Sequence, residues 1–118
     1  MSTLLEKIKQ LSSEITPETL ANRHHIHANP ELSYQEFQTQ AYVLEQLERM
    51  GIQAKKIATT GLIAEIKGKN PDKKVVALRA DMDALPILET NDVPYKSKNP
   101  GVMHACGHDV HTASLLGT

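Results

Sequence analysis

The chain has 118 residues, 40% of them hydrophobic, and its 13 basic and 14 acidic side chains leave a net charge of −1, a composition that suits one small globular domain with a modest core. Near-neutral charge argues against a polyanionic partner, and with no tryptophan and one phenylalanine there is no aromatic platform for stacking bases, so nucleic-acid binding is set aside. A single cysteine cannot close an internal disulfide, no apolar run approaches the roughly 18 residues of a membrane span, and charge interrupts the first ten residues where a signal peptide would be apolar, which together point to the cytoplasm.

Leu4, Leu5, Ile8 and Leu11 recur at helical spacing and predict a short amphipathic helix that ends near Ser12 and Ser13. Thr16 as N-cap and Pro17 at the first helical position predict a second helix, which Pro30 ends near Asn29. Within it His24 and His27 share a face, which reads as polar and exposed. The stretch Ser33 to Glu36 has the form of a capping box and predicts a third helix, with Phe37, Ala41, Leu44 and Leu47 as its apolar stripe and Gly51 as its terminator.

The period then changes. Residues 52–58 and 62–68 read as short strands, Gly68 to Lys74 as a solvated turn, and residues 75–80 (VVALRA), apolar on both parities up to Arg79, as a strand buried on both faces. Residues 87–100 carry no periodicity and predict a long ordered loop that returns to Gly101. Helices followed by strands make an α/β architecture in a single unit.

Two clusters could carry chemistry. Asp81 and Asp83 follow the predicted buried strand and share a face if it stays extended, which puts two carboxylates at the carboxyl end of a strand, where open α/β sheets bind ligands; they serve equally to cap a turn near Ala84. Gly101 to Ala113 (GVMHACGHDVHTA) holds the only cysteine, Cys106, and three of the six histidines, His104, His108 and His111. Cys106 and His108 can share one ion only if Cys106 is extended and His108 enters a helix, and Gly107 between them permits that turn. A thiolate with an imidazole suits Zn, Co or Ni, and added carboxylates admit Mn. His104 and His111 read as supporting neighbours or as structural histidines.

Three stretches, Arg23 to Glu36, Leu78 to Ile87 and Gly101 to Gly117, resemble in their order and context the amino-terminal part of the metal-dependent aminoacylase and carboxypeptidase family, in its amidohydrolase branch of hippurate hydrolases, N-acetyl-diaminopimelate deacetylases and auxin-conjugate hydrolases. The resemblance implies a catalytic domain built on a mixed sheet flanked by helices and interrupted by a smaller dimerisation and lid domain. On it, residues 1–118 are the amino-terminal part of that catalytic domain, and the chain stops inside the helix after His108.

The resemblance also implies two divalent metal ions (Zn, Mn, Co or Ni), with Cys106 and His108 as ligands. Asp83 matches the acidic position that orients ligands, and Asp81 stands where the wider family has a ligand histidine. The catalytic glutamate and the remaining ligands are expected beyond these residues. The implied substrate is an N-acyl amino acid or short peptide, and the implied assembly of the whole protein is a homodimer. Two other readings stay open: Cys106 as a nucleophile paired with His108 or His111, and a non-catalytic metal-binding or interaction module.

Overall fold

In the computed structural model, which describes residues 1–118, Thr3 opens the first helix: its hydroxyl accepts from the Glu6 N–H, and Glu6 accepts from the Thr3 N–H at 2.6 Å. This reciprocal cap starts α1 (Leu4–Ala28), one continuous helix where the sequence predicts two. Pro17 lies inside it instead of opening a second helix, and the Thr16 hydroxyl donates to the Ser12 carbonyl instead of capping. The helix continues on both sides of the hydrogen bond that proline cannot make. The amino-terminal half of α1 leaves Leu4, Leu5, Ile8 and Leu11 exposed. Its protrusion helps raise the radius of gyration to 15.8 Å, against about 13.5 Å for a compact chain of this length.

The second helix, α2 (Phe37–Arg49), does not use the expected capping box. Tyr34 takes a left-handed conformation (φ 62°), which places Ser33 outside the helix, and the Glu31 carboxylate instead accepts from the N–H groups of Gln38 and Thr39 and from the Thr39 hydroxyl. The expected apolar stripe is also displaced. Thr39, Gln40, Val43 and Gln46 are buried, while Phe37 is exposed, because Gln40 donates to the carbonyls of Thr59 and Gly61 and so turns a polar face toward the neighbouring hairpin. The end of α2 is as expected. Gly51 is left-handed (φ 76°), with Gly51 N–H on Glu48 O and Ile52 N–H on Leu47 O, the Schellman pattern.

Strands β1 (Ala54–Ile57) and β2 (Gly61–Ala64) are shorter than the two expected strands and pair with each other as an antiparallel hairpin, with Ala54 opposite Ala64 and Ile57 opposite Gly61. Residues 75–80 form no strand. Val75, Val76 and Leu78 are 90%, 81% and 64% exposed, because no other segment of these residues lies beside them to accept and donate their backbone hydrogen bonds. Pairing of both senses occurs just after, as isolated bridges: Leu32 with Ala84 parallel and Leu85 with Met103 antiparallel. The loop after Ile87 is irregular and ordered as expected, tied back by Lys98 N–H on the Ala28 carbonyl.

The last helix, α3 (His108–Gly117), packs on α1. Gly117 makes a close approach possible, since a Cβ there would lie 2.8 Å from Thr19 Oγ1. No helix is long and apolar enough to cross a membrane.

Only five of the 17 buried residues are hydrophobic, so apolar burial alone does not hold these elements together. A buried ionic chain does. His27, expected on an exposed face, is 3% exposed; its Nδ1 lies 2.7 Å from Asp109 Oδ2 and its Nε2 3.0 Å from Glu89 Oε2. Arg23 donates from Nε to the same Asp109 oxygen at 2.9 Å, and Glu89 also accepts from Ser97 N–H and Asn91. One residue of α1 thus joins the first turn of α3 to the long loop. Burial pushes both carboxyls up, but the bonds from His27, Ser97 and Asn91 to Glu89, and from His27 and Arg23 to Asp109, outweigh it and hold both below the usual carboxylate range.

Removing one member leaves the others buried and uncompensated. Asp109→Ala should therefore lower the unfolding free energy by about 3–5 kcal/mol, read from urea denaturation at neutral pH, and a loss below about 1 kcal/mol would show that the chain of charges is dispensable. The pH dependence follows in sign: the unfolded state binds more protons at Glu89 and Asp109 than the folded state, so stability rises with pH through the acid range. The urea midpoint should be highest near neutrality and fall on acidification through and below the ordinary carboxylate range. A flat midpoint across that range would contradict the network.

Candidate metal centre

Backbone pairing brings the two sequence clusters together. Ala84 N–H donates to Glu31 O at 2.7 Å, and Leu85 and Met103 exchange both backbone hydrogen bonds at 2.9 Å, so residues 81–85 are pinned between the end of α1 and the approach to α3. Gly107, left-handed at φ 95°, turns the chain so that His108 is the first residue of α3. One turn on, the Thr112 hydroxyl donates to the Asp81 carbonyl at 2.7 Å and fixes that backbone against the helix.

His108 Nδ1 lies 2.8 Å from the Asp83 carbonyl and 3.0 Å from Asp83 Oδ1. Both are acceptors, so Nδ1 carries a proton. The ring's Nε2 faces Asp81 Oδ2 at 3.4 Å. The other Asp81 oxygen lies 2.8 Å from His111 Nδ1, and this bond, with the fields of His108 and His111, holds the Asp81 carboxyl below its ordinary range. Asp81, His108 and His111 each place one donor atom within 4.8 Å of the others, and His108 and Asp81 are only partly exposed.

The sequence-predicted residues are therefore sorted. Asp81, Asp83, His108 and His111 come together. Asp83 sits where a carboxylate orients an imidazole and sets its tautomer, the arrangement that metal-binding histidines use. His104 is buried beneath, with neither ring nitrogen hydrogen-bonded, and burial holds it down to about 4. Cys106 is exposed, makes no hydrogen bond and lies outside the three-residue cluster. Two imidazoles and a carboxylate are a donor set that fits a borderline divalent ion.

Sequence reasoning missed Asp109 and Glu89, which set the position of α3. An acidic residue in a first helical turn is the only local signal for Asp109; its partner His27 lies 82 residues away. For Glu89 no local signal exists.

Residues 77–118 match the model of peptidase family M20/M25/M40. An N-acyl-L-amino acid amidohydrolase of Geobacillus stearothermophilus is 52% identical over 96% of the chain and 30% of its own length. Thermostable carboxypeptidase 2 of Saccharolobus solfataricus is 51% identical over 97% of the chain and 29% of its own length. Among solved structures, Bacillus subtilis YxeP, described as a dinuclear metal-binding peptidase of the M20 family, superposes with a TM-score of 0.81 at 44% identity over 92% of this chain and 30% of that one. The chain thus spans about 30% of the length of these relatives. With a family match over both residue clusters and relatives aligned along nearly all its residues, the chain is similar to about 30% of the length of members of peptidase family M20/M25/M40.

Proposed function

We propose that these residues form part of the catalytic domain of a metal-dependent amidohydrolase that cleaves the amide bond of N-acyl amino acids or short peptides. The observation that carries the reading is His108, held through Nδ1 by Asp83 with Nε2 directed at Asp81. A ring held in this way through Nδ1 is positioned to ligate an ion through Nε2. The relatives' printed activities, N-acyl-amino-acid hydrolysis and carboxypeptidase action, agree on amide bonds, and YxeP is described as dinuclear.

We assign Cys106 and His108 as ligands that this chain contributes to a pair of divalent ions, Zn, Mn, Co or Ni. When bound, such a pair lowers the pKa of a water and polarises the amide carbonyl. Asp83 keeps the His108 proton at Nδ1, Asp81 supplies negative charge beside Nε2, and Thr112 holds Asp81 in place. The general base that takes the proton of the water and passes it to the leaving amine is assigned to a glutamate in the part of the relatives' length that these residues do not span. A dimerisation and lid domain, homodimeric assembly and a cytoplasmic location complete the proposal, the last supported by a single unpaired, exposed cysteine. Cys106 as a nucleophile is not supported, since a base within hydrogen-bond reach is required and its thiol has none.

The test is hydrolysis of acetyl-, benzoyl- and indoleacetyl-amino acids by a protein that carries these residues at the length of its relatives. Activity should disappear with a chelator and return with metal, and the 118 residues alone should be inactive; a metal-loaded protein that cleaves none of the panel contradicts the substrate class. Asp83→Ala should lower metal affinity by ~10–100-fold, measured by competition with a chromogenic chelator. In the same long protein, bound metal should slow alkylation of Cys106, and equal rates with and without metal would remove Cys106 from the ligands.

A further inference from the structure

A turn at Pro94 and Tyr95, closed by Lys96 N–H on the Val93 carbonyl, sends one aromatic ring of the long loop back onto α1. That ring stacks on His24, with centroids 4.0 Å apart and planes 6° from parallel. It meets His27 nearly at right angles, 81°, at 5.4 Å, and the Arg23 guanidinium carbon stands 4.9 Å from its centroid. Residues 23, 24 and 27 share one face of the helix, so a single side chain spans that face.

Arg23 is the member of the ionic chain that needs such a neighbour. Its side chain is 28% exposed, whereas those of His27 and Asp109 are buried. It is also long and rich in rotamers, so keeping its Nε on Asp109 costs conformational entropy. The face of Tyr95 carries negative potential, and a guanidinium over it is attracted and confined at once. Arg23 Nε and His27 Nδ1 meet on the same Asp109 oxygen. What fixes the guanidinium therefore also fixes Asp109, the neighbour of His108 in the first turn of α3.

We infer that Tyr95 is a positioning residue for the candidate metal centre: its ring holds the Arg23 guanidinium on Asp109, and through Asp109 it sets the first turn of α3. The consequence for catalysis rests on the proposed function, while the hold on Arg23 stands on the geometry of the loop and α1. The long loop thereby gains a task. Glu89 ties it to His27 and Lys98 N–H ties it to the Ala28 carbonyl. Tyr95 lies between these two ties in sequence and secures the outermost member of the ionic chain.

Fluorinated phenylalanines at position 95 test it, in a protein that carries these residues at the length of its relatives. Tyr95→Phe keeps the ring, and added fluorines nearly keep its size while removing the negative potential of its face stepwise. The Arg23 Nε–H, followed by NMR, should exchange slowly with solvent in the parent and in Tyr95→Phe. Exchange should become roughly 2–30-fold faster at full fluorination, with intermediate rates between. Tyr95→Leu, which keeps apolar bulk without a π face, should match the fully fluorinated ring; if it does not fold, the shape-preserving fluorine series decides. Across the series kcat for hydrolysis of an N-acyl amino acid should fall in the same order. Exchange unchanged by fluorination would overturn the inference and leave Tyr95 an apolar anchor of the loop. Exchange equally fast with plain phenylalanine would overturn it in favour of the hydroxyl. A released Arg23 with unchanged kcat would also overturn it, because the guanidinium would then not set the centre. If the parent hydrolyses no substrate, the proposed function fails, and Arg23 exchange alone decides whether Tyr95 holds the guanidinium.

Discussion

The fold depends on one imidazole placed between two buried carboxylates. His27 reaches Asp109 at the start of α3 with one nitrogen and Glu89 in the long loop with the other, and Arg23 also donates to Asp109. Four charged or polar groups far apart in sequence share one small volume with little apolar material around them. In such surroundings each charge is costly by itself and tolerable only with its partners, so the set forms together or not at all. That condition gives a thin core a defined arrangement.

The candidate metal centre inherits its geometry from this network. Asp109 is the residue after His108, so the bond that anchors Asp109 to α1 also fixes where α3 begins and where the His108 ring points. On the opposite side, Ala84 is pinned to Glu31 and Leu85 to Met103, which brings Asp81 and Asp83 to that ring. Glu31 contributes twice, through its carbonyl to Ala84 and through its carboxylate to the first turn of α2. A rigid polar frame on the buried side and a partly exposed, acidic and imidazole-rich surface on the other is the division that a site open to a small substrate requires.

Local chemistry in the sequence made part of this legible. Gly51 ends α2 and Gly107 opens α3 because each is needed in a left-handed conformation, and the hairpin follows from turn residues between two short apolar runs. The convergence of Asp81 and Asp83 with His108 was legible from spacing and resemblance together. Other features were hidden because distant partners decided them. Pro17 looks like a helix start, yet the helix runs on through it with one hydrogen bond missing. Glu31 displaced Ser33 as the cap because its carboxylate reaches two amides at once. Val75 to Leu78 reads as a central strand, but a strand needs neighbours, and none of these residues supplies them. His27 reads as a surface histidine until Asp109 and Glu89 are brought to it.

The central claim is that His27 fixes α3 to α1 and thereby sets the geometry of the candidate metal centre. Amide hydrogen exchange in a His27→Leu variant measures this directly, because leucine keeps bulk at the site and removes both hydrogen bonds. The account predicts that the amides of α3 lose their protection while those of α2, which rest on Glu31 and on the Schellman end at Gly51, keep theirs. Unchanged protection in α3 would contradict it.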